Sequence, residues 1–263
     1  MSFSIRPFTP ADYPEMARVR NLIWPDNPVL AETLKASDER RKPGLILRRL
    51  VAEKNGEVVG WASFFHMEWI YHPQKFGVGV SVHPTHQNQG IGTALYERMM
   101  QELQPHDPIK LLASTRADKP EALRFAEKRG FREEFRTWES KLELAKFDPA
   151  QWAKAVEKVL AQGYEVRSFA ELASDPERER KMYELDKEGS HDVPLPPGES
   201  FTFPDMERYW ENVRSNPDFR PELWFLAVKD GEYAGVSMLF HRPADNDLNT
   251  GFTTVKRAHR HKG

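Results

Sequence analysis

Residues 78–95 change from a strand-like to a helix-like pattern of apolar positions within one short stretch. Val80 and Val82 alternate with small residues, as in a strand, and Pro84 ends the alternation because it cannot donate to a sheet ladder. Apolar residues then recur at the spacing of one helix face, at Leu95, Met99 and Leu103. The stretch therefore predicts a strand, a turn that contains glycine, and a helix.

Similar patterns continue on both sides of this stretch. Asn55-Gly56 predicts a tight hairpin turn between two strands, and Gly130 is placed to end a helix. The further predicted strands cover residues 3–8, 46–53, 58–66, 109–115 and 131–144, and the further predicted helices cover residues 11–24, 30–41 and 120–129. The predicted order of elements is β-α-α-β-β-β-α-β-α-β.

The chain also repeats part of its own pattern. Residues 52–60 match residues 227–235 at an offset of 227 − 52 = 175, and Gly90 matches Gly263 at an offset of 263 − 90 = 173. An internal repeat takes precedence over local patterns in choosing an architecture, so two related units are expected in tandem. The chain stops where the second glycine turn would begin. The second unit is therefore expected to be incomplete, and the natural chain is expected to continue.

The predicted division of the chain has three parts. Residues 1–145 form the first unit, residues 146–163 form a linker helix, and residues 164–263 form the second, incomplete unit. Asp148 is a suitable cap for the linker helix because its side chain can accept hydrogen bonds from the first turn. The apolar stripe of this helix is expected to pack on one of the units, through Trp152, Val156, Val159 and Leu160.

Composition excludes several classes of protein. Lys and Arg number 38 against 40 acidic residues, which gives no sign of a nucleic-acid or membrane partner. No apolar run approaches the ~20 residues of a membrane span, and the N-terminus lacks the apolar core of a signal peptide. The absence of cysteine excludes disulfides, thiolate metal sites and a cysteine nucleophile. A cytoplasmic protein is expected.

The predicted turn carries the pattern Gln-x-x-Gly-x-Gly at residues 87–92. A helix that starts after such a turn presents free N–H groups to an anion, and Gly90 and Gly92 would let a phosphate approach the main chain. No Lys-Ser or Lys-Thr pair follows, as a P-loop requires, and Asn88 occupies the first glycine position of the dinucleotide fingerprint. A phosphate ligand of another class is favoured over a plain glycine turn before a surface helix.

The stretch resembles motif A of the GNAT superfamily of N-acetyltransferases through Val80, Val82, Pro84, Gln87, Gly90, Gly92 and Thr93. The resemblance spans residues 3–144 and implies an α/β GNAT fold with a mixed central sheet flanked by helices. A second, partial GNAT-like unit would follow it. This layout resembles that of tandem two-domain members of the superfamily, such as mycothiol synthase.

The resemblance also implies a ligand and its contacts. Acetyl-CoA would be the acyl-donor substrate, with no metal, and the acceptor would be the amine of a small molecule or a peptide. No nucleic acid or membrane partner is expected, and a homodimer is left open. The expected acetyl-CoA contacts are Val80, Ser81, Val82, Gln87, Asn88, Gln89, Gly90, Ile91, Gly92 and Thr93.

Acyl transfer to an amine needs a base for the amine proton. Glu68, in the loop after the third strand, is the first catalytic candidate, and His66, His72 and His83 are the others. Phe125 stands where the superfamily often has a tyrosine acid, so the resemblance implies direct attack by the amine without that acid. The alternative is that the first unit binds acetyl-CoA without catalysis, in a structural or regulatory role.

Overall fold

The computed structural model describes residues 2–262, so Met1 and the repeat position Gly263 lie outside the described residues. Each of two compact units is built on a sheet of its own. The units are Met1–Arg132 with Pro243–Asp245, and Glu133–Arg242 with Asn246–Gly263. The predicted limits of the three parts of the chain stay predictions.

A five-stranded sheet forms the frame of the first unit. Its strands are β1 (Ser4–Pro7), β2 (Leu47–Lys54), β3 (Glu57–Phe65), β4 (Lys75–Val82) and β5 (Lys110–Leu112), and its helices are α1 (Tyr13–Ile23), α2 (Ala31–Glu39), α3 (Ile91–Leu103) and α4 (Pro120–Glu127). The strands lie in chain order; β1 to β4 are antiparallel neighbours, whereas β4 and β5 are parallel. The expected α/β fold with a mixed sheet is confirmed.

The apolar stripe of α3 packs against this sheet. Its members are almost fully buried: Ile91, Leu95, Met99 and Leu103. They share one cluster with Phe64 of β3 and Phe76 of β4, whose ring centroids lie 6.0 Å apart, edge to face. Burying an apolar side chain of this size stabilises the fold by roughly 1.5–3 kcal/mol. The predicted helix is confirmed, and buried residues of the stripe anchor it from its first residue to its last.

Two elements predicted near the end of the first unit differ from the structure. β5 has three residues rather than the span 109–115, and residues 131–143 form no strand in the described chain. The apolar residues there are mostly three or four positions apart rather than two, and Trp138 is 87% exposed. Arg136 pairs along the chain with Glu133 at 2.6 Å. A segment with neither a buried face nor a neighbouring strand does not hold a strand conformation.

A four-stranded antiparallel sheet forms the frame of the second unit. Its strands are β6 (Glu165–Ser168), β7 (Trp224–Lys229), β8 (Glu232–Arg242) and β9 (Asp247–Val255), and its helices are α5 (Ala153–Leu160), α6 (Arg178–Ser190) and α7 (Met206–Arg214). From β6 onward the order β-α-α-β-β-β is the order of β1 to β4 in the first unit.

The repeat in the sequence extends to the register of the strands. Ala52 pairs with Gly60 and the register shifts directly after it, and Ala227 pairs with Gly235 and is followed by the same shift. The turn residues have positive φ in both hairpins, at Asn55-Gly56 and Asp230-Gly231. Glycine adopts this conformation freely, and Asn and Asp tolerate it better than most residues. The two units therefore share one structural frame.

α5 forms inside the predicted linker, and most of its apolar stripe is exposed. Asp148 accepts a hydrogen bond from the N–H of Ala150 at 3.0 Å, so the predicted cap is present. Trp152, Val156 and Leu160 are each about half exposed or more. Val159 is half-buried, so the stripe is partly covered within residues 2–262, and its packing on one of the units stays a prediction.

Leu95→Ala tests how much the α3 stripe contributes to stability. Leu95 is fully buried, so we expect the free energy of unfolding to fall by about 2–5 kcal/mol through lost contacts and a new cavity. Urea titration followed by circular dichroism measures the change. Glu97→Ala, on the exposed face of α3, is the control and should change stability by less than about 0.5 kcal/mol. Equal unfolding midpoints for the two variants would contradict this assignment.

Candidate functional site

β4 and β5 separate halfway along β4. Gly77 is the last residue of β4 that pairs with β5, opposite Leu112. β4 then continues to Val82, which pairs with Gly60 of β3 on its other side. Within the described chain, the outer backbone edge of residues 78–82 has no strand partner, so its peptide groups are available to a ligand. The predicted contact residues on this open edge are Val80, Ser81 and Val82.

The turn between β4 and α3 is held by its own side chains. Nδ1 of His83 accepts a hydrogen bond from the N–H of Thr85 at 3.2 Å. Gln87 donates from Nε2 to the carbonyl of Val82 at 3.2 Å, and Gln89 donates from Nε2 to the carbonyl of Thr85 at 3.0 Å. Side chains therefore shape the turn, and its main-chain groups are left to contact a ligand.

α3 begins without a side-chain cap. Gly90 precedes the helix with φ 84°, and the first turn carries no acidic residue. The N–H groups of Ile91, Gly92 and Thr93 thus have no capping side chain and are open to an anion. A Cβ built on Gly90 would meet nothing within 4 Å, so the space beside it is open. This helix N-terminus adjoins the open edge of β4, as the glycine pattern predicted.

Gly92 has a packing role that its motif did not indicate. A Cβ at this position would lie 3.3 Å from Cε2 of Phe125 and 3.5 Å from Cγ2 of Val82. The expected reason for this glycine was room for a phosphate, but the space beside its Cα holds the Phe125 ring. Gly92 instead lets α4 approach the first turn of α3 closely.

Arg129 brings a positive charge to the same helix N-terminus. Its guanidinium lies 3.4 Å from the ring centroid of Phe125 and 4.9 Å from that of Tyr96. Nη2 donates to Oγ1 of Thr93 at 2.9 Å, and Nη1 donates to the carbonyl of Phe125 at 3.0 Å. The sequence pattern did not identify this arginine. The signal available was a cation directly before Gly130, the glycine that ends the preceding helix.

Glu68 lies near the opposite end of β4 from this turn. It begins a short 3-10 helix three residues after Phe65, whose partner on β4 is Gly77. Val82 is 82 − 77 = 5 residues further along β4, about 17 Å at the rise of an antiparallel strand. Glu68 is half-buried and interacts electrostatically with Arg41. An extended ligand would be needed to connect the glycine turn with this carboxylate.

Two of the histidine candidates are held by structural contacts. His66 is 4% exposed; its Nδ1 accepts from the N–H of Ile46 and its Nε2 donates to the carbonyl of Pro73, both at 3.1 Å. His72 accepts at Nδ1 from the N–H of Gln74, also at 3.1 Å. Both ring nitrogens of His66 are thus engaged, and the imidazole is not free to take a substrate proton.

The described residues form neither a metal-binding cluster nor a membrane-spanning helix. Across residues 2–262, no group of three or more His, Asp or Glu side chains is placed to hold a metal ion. No helix in the same span has both the length and the apolar character needed to cross a bilayer. Positive charge at the turn comes from the α3 dipole, the Arg129 guanidinium and the Lys54 ammonium.

The second unit contains a counterpart of the hydrogen bond between Gln87 and Val82. Arg260 donates from Nε to the carbonyl of Val255 at 2.8 Å, as Gln87 does to the carbonyl of Val82. Both partners keep the repeat offset, since 260 − 87 and 255 − 82 are each 173. The next matched glycine, Gly263, lies outside the described residues.

A family model described as "Acetyltransferase (GNAT) family" matches residues 16–131. This span contains the open edge of β4, the glycine turn, α3 and α4. Arg129 and Phe125 also lie within it. No curated protein sequence matches the chain.

Solved structures extend the likeness to both units. A GCN5-related N-acetyltransferase from Sphaerobacter thermophilus is 21% identical, with a TM-score of 0.64, over 99% of this chain and 78% of that chain. A tandem GNAT protein from the clavulanic acid biosynthesis pathway, solved without AcCoA, is 19% identical, with a TM-score of 0.67, over 100% of this chain and 82% of that chain. At these identities the likeness concerns the fold alone.

His83, in the glycine turn, should titrate below the usual range of histidine. Burial first, and then the charges of Arg18 and His86, lower the pKa of its imidazole from 6.5. The folded state therefore binds its proton less readily than the unfolded state, and stability is lost as the pH falls through the unfolded pKa towards the folded one. An NMR titration of the ring protons, assigned with His83→Gln, measures the midpoint. A midpoint at or above 6.5 would contradict this environment.

Proposed function

We propose that this chain transfers an acetyl group from acetyl-CoA to an amine by direct attack, because residues 16–131 match the family model of GNAT acetyltransferases. The observation that carries the proposal is the uncapped N-terminus of α3 beside the open edge of β4. The donor's pyrophosphate would bind the N–H groups of residues 91–93. Its extended arm would lie along residues 78–82, where peptide groups have no strand partner.

Two cations support the placement of the donor phosphates. Arg129 donates to Thr93 in the first turn of α3, where its guanidinium would add charge-assisted hydrogen bonds to a phosphate. Lys54 donates from Nζ to Oε1 of Gln89 at 3.1 Å, which puts an ammonium on the same turn. Both side chains are partly exposed, so a phosphate could reach them without unfolding the turn.

The acyl end of the donor would point towards the start of β4. Phosphates at the Val82 end and an arm along the open edge would direct the thioester towards Gly77. Glu68 follows the strand that pairs with Gly77, so it would approach the acceptor amine directly or through one water. This direction gives Glu68 the role of general base, which takes the proton of the attacking amine.

The reaction needs few groups. The amine nitrogen attacks the thioester carbon, the C–N bond forms and the C–S bond breaks. Glu68 takes the amine proton, and the CoA thiolate takes a proton from solvent. Main-chain N–H groups along residues 78–82 would stabilise the developing oxyanion. A thiol with a pKa of about 8.5 leaves without a strong acid, which suits a site where Phe125 has no proton to donate.

Acetyl-CoA binding without catalysis is the second candidate function, in a structural or regulatory role. Phe125 favours it, because its ring is packed between Gly92 and Arg129 and offers no hydroxyl to the leaving group. The acceptor class remains a proposal, an amine of a small molecule or a peptide. The cytoplasmic location and a homodimer stay predictions.

Gly90→Ala tests the phosphate contact with a closely matched control. Gly90 and Gly44 have φ of 84° and 85°, and a Cβ on either would meet nothing within 4 Å, so alanine strains both backbones alike. We expect Gly90→Ala to raise the Kd for acetyl-CoA at least tenfold, because its Cβ enters the phosphate space. Gly44→Ala should leave the Kd unchanged in calorimetry. Equal Kd values for acetyl-CoA in both folded variants would contradict the proposed acetyl-CoA site.

Glu68→Gln tests the catalytic step separately from binding. We expect kcat to fall on the order of 10²-fold with a panel of primary amines, because amide nitrogen and oxygen cannot take the amine proton. The Kd for acetyl-CoA should stay the same, since Glu68 is distant from the phosphate turn. Release of the CoA thiol measures turnover. Tight acetyl-CoA binding with no turnover of any amine would favour the non-catalytic function.

A further inference from the structure

One aromatic ring covers the Gly77 end of the open edge of β4. Phe65 pairs with Gly77 across the two strands, and a Cβ on Gly77 would lie 2.6 Å from both Cε2 and Cζ of the Phe65 ring. The ring therefore lies against the backbone at the point where β4 parts from β5. The proposed function directs the thioester towards this glycine, so side chains that contact the ring lie close to the acyl group.

Arg41, two residues after the end of α2, places a positive charge beside this ring. Its guanidinium carbon lies 5.5 Å from the ring centroid of Phe65, and Nη1 donates to the carbonyl of His66 at 2.9 Å. Nε is buried without a hydrogen-bond partner in the described chain, so it takes no part in ligand binding. Arg41 as a whole is half-buried, and contact with a ligand would fall to its terminal nitrogens.

The two carboxylates that act on the charge of Arg41 each have another role. Asp38 accepts from the hydroxyl of Tyr13 at 2.6 Å and is held by both terminal nitrogens of Arg49. Glu68 is the proposed general base. Burial lowers the pKa of Arg41 even though Asp38 and Glu68 oppose this shift, because the guanidinium is poorly solvated. An anionic group on a ligand would therefore stabilise the charged form of Arg41.

On the basis of the acetyl transfer proposed above, we infer that the acceptor is an α-amino acid, whose amine meets Glu68 and whose carboxylate binds the terminal nitrogens of Arg41. An acceptor whose only charge is an ammonium is repelled by Arg41, whereas a zwitterion brings one opposite charge for each side chain. Guanidinium and carboxylate also form charge-assisted hydrogen bonds. The amine nitrogen forms the new amide and CoA leaves as before, while the carboxylate of the acceptor is unchanged.

Two exposed rings lie beside these charges and favour an apolar side chain on the amino acid. Trp69 and Tyr71 follow Glu68 and are 46% and 44% exposed. The Tyr71 ring meets the ring of His66 edge-on, with centroids 5.2 Å apart, and the carbonyl of His66 is the acceptor for Arg41. The aromatic surface thus adjoins the charged pair, and burial of an apolar substrate side chain against it would add to binding.

Turnover of L-phenylalanine and L-leucine, each compared with its own amide, tests this substrate class on the whole chain. Release of the CoA thiol measures kcat/KM, and we expect each acid to exceed its amide by about tenfold or more, as a charge-assisted hydrogen bond predicts. An amino amide has the more acidic ammonium, so a preference for the acid cannot come from easier deprotonation. Values for both acids that equal or fall below those of their amides would overturn the inference.

Three variants assign the preference to Arg41. Arg41→Gln removes the charge, so the ratio of the two kcat/KM values, acid over amide, should fall towards parity, mainly through KM. Arg41→Lys keeps a charge and should restore part of the ratio. Arg48→Gln removes an exposed cation from β2 and should leave the ratio of the unmodified chain. An unchanged ratio in a folded Arg41→Gln variant would overturn the role of this arginine.

Binding of the reaction products separates this inference from the acetyl transfer on which it rests. Calorimetry on the unmodified chain, saturated with CoA, compares N-acetyl-L-phenylalanine with N-acetyl-L-phenylalaninamide and needs neither turnover nor a variant. We expect the acid to bind more tightly, because only the acid carries a charge for Arg41. No turnover of any amine or amino acid would contradict acetyl transfer, whereas equal affinity for the two products, or no binding of either, would overturn carboxylate recognition.

Discussion

Burial of the apolar stripe of α3 is the interaction on which the first unit depends. Ile91 is the first residue of the helix and also a member of this stripe, with 1% of its surface exposed. The core therefore holds the first turn of the helix as firmly as its middle, whereas helix ends held only by local bonds fray. The N–H groups of residues 91–93 keep a fixed direction at the end of β4. One set of contacts thus stabilises the fold and orients the anion site.

α4 extends this coupling to a second helix. Gly92 lets the Phe125 ring approach the first turn of α3, and the ring in turn supports the guanidinium of Arg129. The hydrogen bond from Arg129 to Thr93 then joins the end of α4 to the start of α3. A Cβ at position 92 would require the ring to shift by a few tenths of an ångström. The geometry of the site therefore depends on close packing as much as on hydrogen bonding.

The two units combine one backbone frame with different side-chain chemistry. Backbone pairing, the register shift within the second strand of each sheet and the hairpin turn recur in both units. In the first unit, one edge of β4 has no strand partner beyond Gly77, so main-chain groups there are exposed to a ligand. The second unit has polar side chains that bond one another, as where Asp186 accepts from the hydroxyls of Ser190 and Tyr209. The frame sets where a ligand can bind, and the side chains decide which ligand fits.

The sequence by itself determined the features that neighbouring residues encode. The α3 stripe, the turn at Asn55-Gly56 and the glycine before α3 follow from helical spacing and from backbone conformations that few residues adopt. The tertiary structure alone decided where β5 stops pairing with β4 and how far Glu68 lies from the glycine turn. It also decided that Arg129 reaches α3. These outcomes depend on contacts between residues distant in the chain, and no local pattern records such contacts.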